Sequence, residues 1–303
     1  MSMLKYRDEF LDYMKVERNY SLFTILSYCR DLDEFASFLD QEGIEFTTVD
    51  ARTIRMYMTH LMTINNIRKT IARKLSSLKS FYKYLIRNDI TNDNPLDTID
   101  RQKIDKKLPE VLPIEQVIEL FSITISNKAE INLRNKAIAE TLYASGIRVS
   151  EMVNIKLEDL NLNNLTCKVK GKGNKERIVF INDFAKDSLC DYLEHGRLIL
   201  LSKVNDPKPY VFINNSGNKL SSRGVEMIIK AMGRKLKQPK DIYPHMLRHS
   251  FATHLMDNGA DIRNVQELLG HKSISATQIY THVSKSHLKE VYQKSNPRAK
   301  KGQ

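Results

Sequence analysis

The sequence predicts a mainly α protein with two domains and one small antiparallel sheet. Three observations carry that reading. Apolar residues recur at steps of three and four through the first hundred positions. A stretch rich in charge and proline interrupts the pattern near 101–110. Beyond it, one pair of β-prone runs stands in an otherwise helical half. A chain of 303 residues is long enough for two domains of ordinary size.

In order along the chain, residues 1–100 read as all helix. Over 21–40 the apolar face is Leu22, Ile25, Cys29, Leu32, Phe35 and Leu39. Over 67–87 it is Ile71, Leu75, Leu78, Tyr82 and Leu85. The opposite side of that helix carries Lys69, Arg73, Ser76, Ser80, Lys83 and Arg87, all cation or hydroxyl and no acid. Such a face is either plain solvated surface or a grip on a phosphate backbone. NDNPLDTIDRQKIDKKLPEVLP supplies the break, with a linker at 101–110 and a second domain over 111–303. LRNKAIAETLYAS (133–145) reads as a helix stopped by Gly146, with Ser150 as the cap of the next. Arg148 then stands in the turn between two helices. TCKVKGKGNKERIVFI reads as a hairpin with Lys172 at its tip, between two glycines. Tyr210–Ile213 reads as a short strand and NNSGN as a turn. The chain is helical again from 221, and Asp261 and Gly270 cap IRNVQELL.

Charge narrows the function. The formal net charge is +12 and the pI about 9.4. That balance favours a polyanion such as nucleic acid. An anionic membrane surface would attract it too, but no apolar run approaches the roughly 20 residues of a membrane span. The opening MSMLKYRDEF lacks the apolar core of a signal peptide, so the expected location is the cytoplasm, with no membrane partner. Cys29, Cys167 and Cys190 are odd in number and widely spaced, which suits reduced thiols better than a disulfide framework or zinc site.

PHMLRHSFATHL (244–255) concentrates three of the eight histidines beside an arginine. A metal is not expected. His245 and His249 are a helical turn apart, but no Cys, Asp or Glu lies near in sequence, and His254 falls about 180° from His245. His245 and Arg248 share a face and suit a phosphate, the fork gripping oxygens while the imidazole bonds or moves a proton. A satisfied surface pair remains the plain alternative. His249 and His254 read as structural. Further along, GHKSISATQIYTH adds His271 and Tyr280. They reach one site if the chain restarts after His271, with Ser273 as cap.

Four blocks, GIRVSE (146–151), GKGNKER (171–177), HMLRHSFATHL (245–255) and LLGHKSISATQIYTH (268–282), together resemble the tyrosine recombinase (phage integrase) family, and within it the XerC/XerD group. The resemblance covers nearly the whole chain. Ala276 departs from the usual Thr and Met152 from the usual Leu, neither at a catalytic position. It implies an N-terminal helical core-binding (SAM-like) bundle and a mostly helical catalytic domain with a small sheet, the two clamping duplex DNA. It implies that Tyr280 is the nucleophile, that Arg148, Arg248 and His271 hold the phosphate oxygens, that His245 assists deprotonation and that Lys172 protonates the leaving oxygen. It also implies no cofactor, a homo- or hetero-tetramer on DNA with exchange of the segment 284–303, and in some systems a second Xer-type recombinase and a septal DNA translocase. The residue types agree with this chemistry. A tyrosine of ordinary pKa near 10 is a weak nucleophile at neutral pH and needs help, and cations stabilise charge developing on phosphate oxygens. Chromosome-dimer resolution at a dif-like site is the leading role. A mobile-element integrase, a type IB topoisomerase-like enzyme, a regulator without catalysis and, weakest, a zinc enzyme are the alternatives.

Overall fold

The computed structural model describes residues 3–99, 110–171, 176–270 and 285–299. The chain divides into two compact units, Met1–Lys107 and Leu108–Gln303. The expected linker at 101–110 lies, except for Glu110, outside the described residues.

Among its described residues the first unit is built of four α-helices, α1 (Met3–Val16), α2 (Leu22–Glu42), α3 (Ala51–Thr63) and α4 (Arg68–Arg87), and the expected all-helical reading ends there, since residues 88–99 form turns. Polar side chains set the starts of α2 and α3. Ser21 accepts from the Thr24 amide at 3.3 Å and Asp50 from the Thr53 amide at 2.8 Å. The apolar stripe of α4 turns inward as the periodicity requires, with Ile71, Leu78, Tyr82 and Leu85 all buried. Tyr82 keeps its hydroxyl satisfied by donating to the Phe46 carbonyl at 2.9 Å. Phe35 and Tyr57 meet edge to face, 4.9 Å between centroids. The expected stripe of α2 holds only from its middle onward. Leu32, Phe35 and Leu39 are buried, but Leu22 is 67% exposed and its neighbour Phe23 86%. The first turn of this long helix carries the apolar face past the packed core.

The second unit continues with α5 (Ile114–Ser122), α6 (Ala129–Ser145) and the single turn α7 (Val149–Met152). The sheet follows: β1 (Leu160–Asn161), β2 (Thr166–Lys170) and β3 (Glu176–Phe180), antiparallel in that order. Then come α8 (Asp183–Asp191), α9 (Leu198–Leu201), α10 (Ser222–Gly233), α11 (Pro244–Asp257), α12 (Ile262–Leu269) and α13 (Lys285–Ser295). The central element is α6, buried on nearly every face from Arg134 to Ser145. It therefore shows no amphipathic stripe, and its charges need dedicated partners. Arg134 donates to the Ile213 carbonyl at 3.1 Å and to Asn215 Oδ1 at 2.8 Å. Glu140, 2% exposed, receives both arms of the Arg298 guanidinium at 3.0 Å.

Three local expectations change. Tyr210–Ile213 is no strand. Its amides and carbonyls are divided between Ile155 on one side, Leu220 on the other and the Arg197 guanidinium, leaving only isolated bridges. The hairpin gains β1 as a third strand. Ser150 does not cap α7. Arg148 holds the N-cap position, and Glu151 three residues on accepts its backbone N–H at 2.9 Å. The described part of the tail packs on its own unit. Tyr292, Ser295, Asn296 and Ala299 are buried against the tail's own unit, and Arg298 lies over the rings of Phe121 and Phe184. Among the described residues no helix is long and apolar enough to cross a membrane.

Candidate active site

Two glycines bring the two arginines of the site together. α6 ends at Gly146 with φ +59°, and a Cβ there would lie 2.4 Å from a ring carbon of Phe251 and 2.9 Å from Leu269. The turn therefore packs directly on α11 and α12, two residues before Arg148. α12 ends at Gly270 with φ +66°. Arg248, on α11 and 7% exposed, reaches both turns. It donates from Nη1 to the Gly146 carbonyl and from Nη2 to the Leu269 carbonyl at 2.8 Å. Helix-terminal carbonyls carry partial negative charge, which suits a buried cation. Burial first, then the nearby charges of Arg148 and Arg177, lower the Arg248 pKa to about 10. The guanidinium still carries its proton at neutral pH.

Arg148 is anchored by Glu151. Its Nη1 donates to Glu151 Oε1 at 3.0 Å, and its side chain stays 36% exposed. Glu151 is 3% exposed and also takes a fork from Arg177, Nη1 to Oε1 at 2.8 Å and Nη2 to Oε2 at 2.9 Å. With the Arg148 amide, four donors occupy one carboxylate, which is its full acceptor capacity. Burial alone would raise its pKa. The Arg177 bonds, the Arg148 amide, the Arg177 charge and the Arg148 side-chain bond together outweigh burial and hold it below the ordinary value.

His245 is exposed in the first turn of α11, just after Pro244 at the helix start. Arg248 sits one turn on, facing the interior, so the pair brackets the N-terminal end of a helix, where anions are favoured. His249 is half-buried. His254 is buried and its Nδ1 meets the Tyr143 hydroxyl at 2.8 Å; burial lowers its pKa. That is the structural role expected of it. Lys172, His271 and Tyr280 lie outside the described residues. Two residues of this site carried no expectation: Glu151 and Arg177. Both left a signal. Glu151 stands at the third position after the cap, and Arg177 alternates in register with inward-facing Val179, opposite buried Val169.

The cationic face of the first unit is less uniform than its sequence. Lys69, Arg73, Ser76, Lys83 and Arg87 are exposed and Ser80 half-buried. Yet acids arrive from other helices. Arg73 binds Asp31, which is 1% exposed and also receives the Ser77 hydroxyl at 2.7 Å. Arg87 donates to the Tyr13 hydroxyl at 3.0 Å and lies 3.9 Å from Glu17. Lys69 and Lys83 have no carboxylate partner among the described residues.

Comparison with known proteins agrees across the chain. Residues 110–287 match the phage integrase family, and residues 8–89 match the N-terminal SAM-like domain of phage integrases. The chain is 42% identical over 294 residues to tyrosine recombinase XerC of Bacillus licheniformis, covering 97% of this chain and 96% of that one. It is 43% identical over 291 residues to tyrosine recombinase XerC of Listeria innocua, covering 96% and 97%. Among solved structures it resembles the XerH site-specific recombinase bound to a palindromic difH substrate, with 26% identity, TM-score 0.63 and coverage of 95% and 84%.

Proposed function

This chain belongs to the phage integrase family and is a DNA strand-transferring enzyme of the tyrosine recombinase kind, and on that premise we propose how its residues divide the reaction. Tyr280 attacks the scissile phosphorus of duplex DNA. The Oη–P bond forms as the P–O5′ bond breaks, giving a 3′-phosphotyrosine and a free 5′-hydroxyl. The phenolic proton passes toward His245, and Lys172 supplies a proton to the departing 5′ oxygen. Arg148, Arg248 and His271 hold the non-bridging oxygens, where charge develops. One phosphodiester is exchanged for another, so the strand rejoins a new partner through a Holliday junction without an energy source.

The observation that carries this assignment is the convergence of Arg148 and Arg248. They lie a hundred residues apart in sequence, yet both are ordered about the Gly146 turn. Fixed cations at a phosphate supply positioning and charge stabilisation, which are most of what phosphoryl transfer asks of a protein. The biological role we propose is resolution of chromosome dimers at a dif-like site in the cytoplasm, in keeping with XerC relatives and a XerH neighbour bound to difH. The assembly would be a tetramer on DNA, alone or with a second Xer-type recombinase, activated by a septal DNA translocase. The tail that packs in its own protomer here would exchange into the matching groove of a neighbour. The face of Lys69, Arg73, Ser76, Ser80, Lys83 and Arg87 would follow the DNA backbone.

The test is denaturing capture on nicked duplexes in EDTA. Wild type should give a protein–DNA adduct that survives SDS, and Tyr280→Phe should give none. Adducts formed equally by the Phe variant, or lost with EDTA, would overturn the assignment.

A further inference from the structure

Arg177 is a cation that the strand-transfer scheme leaves unused. It sits on β3 at an inward position, 20% exposed, opposite buried Val169. Both terminal nitrogens are spent on Glu151, at 2.8 and 2.9 Å. Its Nε is buried with no acceptor among the described residues. The Gly270 turn closes over it: a Cβ on that glycine would lie 2.8 Å from Nε and 3.0 Å from Cζ. The side chain is therefore fixed by the carboxylate in front and by backbone behind. Arg177 is poorly placed to grip a phosphate itself. Glu151, 3% exposed and fully occupied, is equally unable to touch DNA.

We infer that Arg177 is a positioning residue for strand transfer, acting through Glu151 to aim Arg148 and to keep its charge available to the phosphate. This rests on the role given to Arg148 above. The physical reason is competition. A lone buried carboxylate beside Arg148 would pair with it one to one and hold it back from a substrate oxygen. Here the same carboxylate is shared with a second guanidinium, in a planar fork that fixes its orientation. Arg148 keeps one bond to Glu151, enough to orient it, and remains 36% exposed toward solvent. Two arginines on one carboxylate also leave the pair net positive, with the Arg248 guanidinium held on the adjoining Gly146 and Leu269 carbonyls.

The experiment uses the full chain and one nicked duplex recovered by wild-type adduct formation, made with either a phosphodiester or a neutral methylphosphonate at the cut. Rates of adduct formation are read for wild type, Arg177→Ala, Arg177→Lys, Glu151→Gln, Arg148→Ala and the Arg177→Ala/Glu151→Gln double variant. All are measured at a temperature where circular dichroism shows each one folded. On the phosphodiester, Arg177→Ala should slow adduct formation on the order of 100-fold, as for a small misplacement of a reacting group, with DNA affinity nearly unchanged. Arg177→Lys, which keeps the charge and loses the fork, should fall in between. On the methylphosphonate, where the oxygen charge is gone, the defects of Arg148→Ala and Arg177→Ala should shrink together. The double variant should be no slower than Glu151→Gln alone. Equal defects on both substrates, or losses that multiply in the double variant, would mean a merely structural arginine and overturn the inference. Arg177→Ala indistinguishable from wild type would do the same. A wild type that forms no adduct, alone or with a second Xer-type recombinase, would instead overturn the proposed division of roles among the site residues, and this inference with it.

Discussion

Asp31 in the first unit and Glu151 in the second are both buried carboxylates shared between cations, yet they join different things. Asp31 binds Arg73 and, at 3.7 Å, Lys74, two consecutive residues of α4, so it fastens α2 to α4 and nothing else. Glu151 binds Arg148 at its own helix cap and Arg177 on a strand. It ties the turn after α6 to the sheet, at the point where α11 contributes Arg248 through the Gly146 carbonyl. A buried ion pair is weak evidence for stability, because desolvation offsets most of its attraction. The value of such a pair lies in what it fixes. At Asp31 it fixes a helix pair; at Glu151 it fixes the direction of Arg148, the cation we propose for the scissile phosphate.

That contrast can be broken by substitution. The largest effect should come from a third buried carboxylate, Glu140, which the tail holds through Arg298. Arg298→Ala strands a carboxylate that is 2% exposed and should cost about 3–5 kcal/mol, read as a lowered midpoint in urea unfolding. Arg148→Ala should reduce adduct formation by about 100- to 1000-fold, the range for losing one donor to developing charge, with unfolding almost unmoved. Asp31→Ala should do the reverse. It leaves Arg73 and Lys74 without their shared acceptor, so about 1–3 kcal/mol of stability is lost while adduct formation stays normal wherever the protein is folded. Lys83→Ala should be smallest in stability, within about 0.5 kcal/mol. It should weaken DNA binding evenly across sequences and lower the salt slope by about one.

Acid sharpens the same comparison. The Glu151 pKa is depressed relative to its ordinary 4.5, so its bonds stabilise the folded state fully above that pH. Their contribution is lost as the pH falls through the depressed value. Glu151→Gln should flatten that part of the acid-unfolding profile. An unchanged profile would mean the carboxylate is not charged in the folded protein.

The sequence by itself determined the helical class, the hairpin, the cap glycines and the two α4 faces, because each rests on spacing within a few residues. Gly146 and Gly270 stop their helices where a left-handed turn is needed, and the Ile71–Leu85 stripe is buried because 3.6-residue periodicity is local. The family was legible in four short blocks, whose residue types and order along the chain match it without any knowledge of the fold. Tertiary structure alone decided the rest. That Arg73 is half-committed to Asp31 follows from how α2 packs on α4, forty-two positions away in sequence. That Leu22 and Phe23 stand in solvent follows from where α2 outruns its neighbours. The pairing of Arg177 with Glu151, twenty-six residues apart, needs the sheet folded against α7. Hydrogen bonds of this kind are set by distance in space, on which the order of residues in the chain has no direct hold.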